Sequence, residues 1–128
     1  MDIIIDASCI IAVLLGEEEG KKVRTLVKGK RFVSPACLPY EIGNSLTAAV
    51  KKHRIPADSV AEMYQEFTKL PVRLVEPNIE KAVALAAEEN HYAYDAYYIT
   101  TAIDMGLPLY SLDKGLMEIA KKRGVTCL

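Results

Sequence analysis

Apolar positions along the chain follow two rhythms: short unbroken runs, and stripes at three- and four-residue steps. Ile3-Ile4-Ile5 is an unbroken β-branched run, which reads as a strand buried on both faces, as in a parallel sheet covered by helices. Cys9 to Leu15 is also apolar, and Gly16 ends it. Its place just after a buried strand, with Ser8 as a cap, predicts a short buried helix. Glu17 to Lys28 predicts a second helix, acidic at its start and basic at its end as the helix dipole favours. Arg31-Phe32-Val33-Ser34 predicts a short strand. A helix from about Leu38 to His53 carries Ile42, Leu46, Ala49 and Val50 at helical spacing, entered through Pro35 and Pro39.

The second half continues the alternation. Val60, Met63, Tyr64, Phe67 and Leu70 mark a helix that starts at Asp58 or Ser59 and stops at Pro71. Val72 to Val75 predicts a strand, and a helix opened by Pro77 runs to near Asn90. Tyr94-Asp95 starts a helix stopped by Gly106. Leu107 to Ser111 predicts a strand, Asp113 begins a helix ended by Gly124, and Val125 to Leu128 predicts a last short strand. Strand and helix alternating in this way mark a parallel sheet with right-handed crossovers and helices on both faces. The expected fold is a three-layer α/β/α domain with a central, mainly parallel sheet, a single domain over residues 1–128.

Composition narrows the partners. A chain of 128 residues with 51% hydrophobic and 26% charged positions is globular and buries its own core. Its formal net charge is -1 and its pI about 6.1, so any nucleic acid must be held by local patches or through metal ions. No apolar run approaches the ~20 residues of a membrane span. No basic region precedes the first apolar run, which argues against a signal peptide. Cys9, Cys37 and Cys127 are odd in number and lack CxxC spacing. Free thiols in a reducing cytoplasm are expected.

Most acidic residues lie in polar or helix-start contexts and read as solvated faces. Four sit in apolar surroundings: Asp6 after Ile3-Ile4-Ile5, Glu41 in the first turns of a mostly apolar helix, Asp95 among Tyr92, Tyr94, Tyr97 and Tyr98, and Asp113 after Leu109-Tyr110-Ser111-Leu112. Taken singly, Asp6 and Asp113 read as helix caps, and Glu41 and Asp95 as acids favoured at a helix N-terminus. Taken together, all four fall at one sheet edge. Asp6 and Asp113 follow parallel strands, and Glu41 and Asp95 open helices that run back antiparallel to them. Clustered like charges repel, and only Asp113 has a cationic neighbour in sequence, Lys114. Protonation or a divalent cation must compensate, and a set of oxygen ligands selects Mg²⁺ or Mn²⁺.

Asn44, three residues after Glu41, shares its helical face and is expected to hydrogen-bond a carboxylate and orient it. Ser8 and Ser111 offer similar support from the strand ends, although capping explains each equally well. A carboxylate-held metal pocket suits phosphoryl transfer. No glycine-rich GK[ST] loop and no GxSxG elbow is present. His53 and His91 are too few for a histidine metal site, and His91, four residues before Asp95, reads as a loop residue ahead of a catalytic one.

Asp6 after a hydrophobic strand, Glu41-x-x-Asn44 on a helix, Tyr94-Asp95-Ala96 opening a helix and Ser111-x-Asp113 after a strand, in that order across the whole chain, resemble the PIN-domain family. The branch they are most similar to is the VapC-type toxins of prokaryotic toxin–antitoxin pairs. Ser111 stands where that family often has Thr, and both offer a hydroxyl. The resemblance implies a metal-dependent endoribonuclease with Asp6, Glu41, Asp95 and Asp113 as metal ligands, a homodimer, and a small cognate antitoxin. RNA contacts are sought in the basic runs Lys28–Arg31, Lys51-Lys52-His53-Arg54 and Lys121–Arg123, with Lys51, Lys52 and Arg54 as the candidates carried forward. The dipole-favoured solvated helix end is the competing reading of each. The tyrosines at 92, 94, 97 and 98 suit base stacking, a dimer interface or the core, with core and interface ranked first. The rival functions are a structure-specific DNA nuclease or phosphatase using the same pocket, and a non-catalytic scaffold, either a PIN fold or a receiver-like domain. A receiver would want a Lys at the end of a late strand, where this chain has Asp113.

Overall fold

The computed structural model describes residues 1–128. Four strands form one parallel sheet in the order β3-β2-β1-β4, with β1 Asp2–Ile5, β2 Arg31–Pro35, β3 Val72–Val75 and β4 Leu109–Tyr110. Seven α-helices surround it: α1 Ala7–Leu14, α2 Glu18–Leu26, α3 Leu38–Lys51, α4 Val60–Thr68, α5 Ile79–Glu88, α6 Ala93–Met105 and α7 Lys114–Lys122. A single 3₁₀ turn, Ala57–Ser59, leads into α4. Helices α1 to α4 pack among themselves, and α6 joins α5 to α7. The three-layer, parallel architecture is the one the alternation predicts.

Ile3, Ile4 and Ile5 are all buried, because β1 has a neighbour strand on each side and helices on both faces. They join a core with Val33, Leu38, Ile42, Leu46, Tyr98, Ile99, Leu109 and Leu116. The edge strand β3 is half-exposed, with Val72 and Val75 partly buried and Arg73 and Leu74 both exposed.

Four boundaries depart from expectation, the first being the strand expected over Leu107–Ser111, which shortens to Leu109–Tyr110. The C-terminal Val125–Leu128 segment contributes only an isolated parallel bridge, Cys127 to Leu109, so the sheet has four strands and not five. Its partner β4 is two residues long and offers too short a ladder to extend. Helix α1 starts at Ala7 with Asp6 as its N-cap; Ser8 lies inside the helix. Helix α3 ends at Lys51, and His53 takes a positive φ of 58° just beyond it.

Candidate active site

The strand order positions the site. From β1 the chain winds outward to β2 and β3, then returns to place β4 on the other side of β1. Winding therefore reverses at the β1–β4 crevice, and in open α/β sheets ligands bind beyond the strand C-termini at such a reversal. Register brings two residues together there. Ile5 pairs with Tyr110, so the next residues, Asp6 and Ser111, face each other. Ser111 Oγ donates to Asp6 Oδ2 at 2.6 Å.

Asp6 is only 6% exposed. Its Oδ1 accepts from Ser8 Oγ at 2.6 Å and from the Cys9 N–H at 3.3 Å. Asp6 is therefore the cap of α1 through Oδ1, while Oδ2 takes the bond from Ser111 across the β1–β4 crevice. Burial pushes its carboxyl above the usual range, and the bonds from Ser111, Ser8 and Cys9 pull it part of the way back. Both serine hydroxyls also accept backbone bonds, Ser8 from Leu112 N–H at 3.0 Å and Ser111 from Asp113 N–H at 2.9 Å. They tie Asp6 to the segment that opens α7.

Glu41 sits in the first turn of α3, where Pro39 pre-sets the helix start. Its Oε2 accepts from Tyr98 Oη at 2.6 Å and from Cys37 Sγ at 3.2 Å. Burial raises its pKa, the two donors oppose that, and the charges of Asp6 and Asp95 raise it further. Burial and the neighbouring Glu41 push the Cys37 thiol up to about 12, and burial likewise raises the Tyr98 phenol. Both stay protonated donors at neutral pH. Asp95, in the first turn of α6, hydrogen-bonds His91 Nε2. Burial raises its pKa, the His91 bond lowers it, and the charge of Asp113 raises it. Asp113 is exposed and caps α7, its Oδ1 accepting from Leu116 N–H at 3.2 Å. A Cβ at Gly115 would meet Asp113 Oδ1 at 3.4 Å and His91 Cε1 at 3.8 Å, so the α5–α6 loop and the start of α7 adjoin.

The four carboxylates thus form a charge-coupled group: Asp6 and Asp95 act on Glu41, and Asp113 acts on Asp95. None is ion-paired with Lys or Arg, and His91 is the sole basic side chain bonded to any of them. No three His, Cys, Asp or Glu side chains stand close enough to form a ready-made cage. The donor chemistry still fits a hard cation. All four groups offer oxygen, and one oxygen each of Glu41, Asp95 and Asp113 is free of hydrogen bonds. The two nearby sulfurs, Cys9 and Cys37, are both protonated thiols, which argues against a soft metal.

Other expected site residues lie elsewhere or act differently. Asn44 is exposed and its side chain makes no hydrogen bond; Tyr98 and Cys37, not Asn44, orient Glu41. Lys51, Lys52 and Arg54 are exposed at the opposite end of α3. Ten residues of helix put Lys51 about 15 Å from Glu41 along the axis. Arg54 is further engaged with Glu17 at 3.0 Å. In the other basic runs, Arg31 pairs with Asp2, and Lys122 and Arg123 pair with Glu88 and Glu89. Tyr98 is core, whereas Tyr92 and Tyr94 are exposed. The supporting roles of Cys37 and His91 had a sequence signal, since each stands four residues before its carboxylate. Tyr98 had none, because it reaches Glu41 from another helix.

Comparison with known proteins gives a consistent result. The model of the PIN domain matches residues 3–122. Ribonuclease VapC3 of Pyrobaculum aerophilum is 28% identical over 123 residues, covering 92% of this chain and 94% of the relative. Ribonuclease VapC12 of Mycobacterium tuberculosis is 26% identical over 118 residues, covering 91% of this chain and 90% of the relative. Among solved structures, PAE2754 of Pyrobaculum aerophilum superposes with a TM-score of 0.73 at 20% identity, over 99% of this chain and 83% of that one. VapBC2 of Rickettsia felis, solved bound to a DNA fragment from its promoter, superposes with a TM-score of 0.67 at 6% identity, over 100% of this chain and 98% of that one. These two likenesses are of fold.

Proposed function

The chain belongs to the PIN-domain family, and from that membership and the acidic edge we propose that it is a Mg²⁺- or Mn²⁺-dependent endoribonuclease, the toxin of a toxin–antitoxin pair. The observation that carries the reading is the charge-coupled set Asp6, Glu41, Asp95 and Asp113 at the β1–β4 crevice, unpaired by any Lys or Arg. The names of the relatives, Ribonuclease VapC3 and VapC12, favour RNA over DNA and over phosphate monoesters.

Asp6, Glu41, Asp95 and Asp113 would hold the ion. When bound, such an ion lowers the pKa of a coordinated water and neutralises charge developing on the phosphate. The chain's own groups set the geometry. Ser8 and Ser111 fix both oxygens of Asp6. Tyr98 and Cys37 fix one oxygen of Glu41 and leave the other free. His91 orients Asp95. A small antitoxin partner and a homodimer belong to the same proposal; the VapBC2 likeness favours the partner.

The test is cleavage of labelled RNA and DNA with Mn²⁺, Mg²⁺ or EDTA, beside Asp6→Asn. RNA cleavage that needs the metal and Asp6 is expected. Cleavage persisting in EDTA or in the variant would sink the metal site, and cutting of DNA alone would move the assignment to a DNA nuclease.

A further inference from the structure

A cleft of about 360 Å³ opens beside the acidic crevice, lined by Tyr40, Glu41, Asn44, Ser45 and Tyr94. Its composition differs from the rest of the surface. Tyr40 is 81% exposed and Tyr94 is 58% exposed, so two largely exposed tyrosines line the cleft together with one site carboxylate, Glu41. Each immediately precedes a site carboxylate, Tyr40 before Glu41 and Tyr94 before Asp95, in the first turn of its helix. Tyr94 is braced, its ring meeting Tyr97 edge-on with centroids 5.8 Å apart and planes at 90°. Asn44 follows Tyr40 by four residues and so lies beside it on α3. Its amide is unbonded, free to offer both a donor and an acceptor. No Lys or Arg lines the cleft.

Aromatic faces with a free amide and no cation are the chemistry of a base, not of a phosphate. Unstacked bases are recognised by stacking on aromatic side chains and by hydrogen bonds to their edges, which a paired base in a duplex cannot offer. We infer that the Tyr40–Tyr94 cleft is a nucleobase subsite that takes one unpaired base of single-stranded RNA next to the phosphate to be cut, with Asn44 reading its edge. The inference rests on the ribonuclease reading and adds the residues that hold a base beside the phosphate.

The full-length protein is titrated in EDTA, where no cleavage is expected, with six-nucleotide single-stranded RNAs carrying 2-aminopurine at each position in turn, and with a perfect RNA duplex. Stacking quenches 2-aminopurine, so quenching at one position of the single strand is expected, with much weaker duplex binding. Tyr40→Leu and Tyr94→Leu each weaken single-strand binding roughly tenfold and abolish the quenching. The Phe variants keep both, and Tyr92→Leu, equally exposed but outside the cleft, changes binding less than about twofold. In Mn²⁺ the Leu variants raise KM and spare kcat.

Leu variants that bind as the wild type, or a duplex bound as tightly as the single strand, overturn the subsite and leave the ribonuclease reading standing. A shift of the Leu variants to a smaller oligomer in light scattering, with RNA binding intact, assigns the tyrosines to an interface between copies and overturns it as well. Wild-type protein that neither binds nor cuts RNA overturns both.

Discussion

Tyr98→Phe isolates the donor that holds Glu41. Tyr98 is 1% exposed, and its hydroxyl donates to Glu41 Oε2 at 2.6 Å. The ring stays and fills its space, so the change deletes one hydrogen bond and leaves no cavity larger than an oxygen. A hydrogen bond to a charged group is worth about 1.5–3 kcal/mol. Glu41 is only half-buried, and Cys37 Sγ at 3.2 Å remains as a weaker donor, so the low end applies, about 1.5–2 kcal/mol. For a domain of this length that lowers Tm by roughly 5–10 °C. A cycle with Glu41→Gln at pH 8 reads the charge-assisted part, about 1 kcal/mol of coupling. Below the raised pKa of Glu41 the carboxyl is neutral and the coupling falls. The Tyr98 bond also lowers that pKa, so its loss moves the pH midpoint for Mn²⁺ binding upward. Thermal melts and calorimetric Mn²⁺ titration from pH 5 to 8 measure both. A Tm unchanged by the substitution, or no coupling to Glu41, would refute the assignment of Tyr98 as the positioning donor.

Asp6→Asn should stabilise the metal-free protein while removing activity. Burial dominates the Asp6 shift, so the folded state prefers the neutral form, and the amide should be the more stable side chain at pH 7. The sign follows from linkage: the folded pKa is raised, so stability is lost as pH rises from the unfolded value through the folded one. The Tm advantage of Asp6→Asn in EDTA should therefore grow from pH 4 upward and level off, and an advantage that shrinks over that range would contradict the burial argument. Gly20→Ala and Gly43→Ala should move stability in opposite directions. A Cβ at Gly20 would stand 2.6 Å from Ala12 O on the adjoining α1, a backbone clash costing about 1–3 kcal/mol. A Cβ at Gly43 meets nothing within 4 Å in mid-helix, so helix propensity wins by about 0.5–1 kcal/mol in urea melts. Lys51→Ala with Lys52→Ala should change cleavage of a trinucleotide less than about twofold, since at about 3.4 Å per nucleotide a strand that short centred on Glu41 ends well before Lys51, about 15 Å along α3. A tenfold loss would return the basic run to the substrate path.

The layers of the fold were legible because each element carried its own period and stop. The Ile3–Ile5 run, the stripes of α3 and α4, and Gly106 after α6 are local signals whose tertiary partners agree with them. The convergence of carboxylates at one edge was legible for a related reason: a parallel sheet puts every strand C-terminus and every following helix N-terminus on the same side. The details that failed depend on partners distant in sequence. Whether Val125–Leu128 makes a strand is decided by the two-residue length of β4. Whether Ser8 or Asp6 caps α1 is decided by Ser111, 105 residues away from Asp6, whose hydroxyl holds the carboxylate in place. Asn44 had the right spacing to orient Glu41, but Tyr98 occupies that role from α6, and no periodicity encodes a contact 57 residues long.

Why the fold tolerates so much negative charge follows from what surrounds it. A lysine partner would neutralise a carboxylate permanently and compete with any incoming cation. Apart from His91 on Asp95, the donors present are neutral: Ser8, Ser111, Tyr98, the Cys37 thiol and backbone N–H groups. They fix orientation without cancelling charge. What partial compensation exists comes from helices, because Asp6 and Asp113 cap α1 and α7 while Glu41 and Asp95 lie in the first turns of α3 and α6. Each N-terminus carries roughly +0.5 charge, so four of them offset about half of four ionised carboxylates. The remainder, roughly two negative charges, is what the proposed divalent cation would offset. By this reckoning the metal-free site is the frustrated state. Binding the ion should raise Tm more than Asp6→Asn does, because the ion relieves the repulsion among all four groups while the substitution removes only one of them.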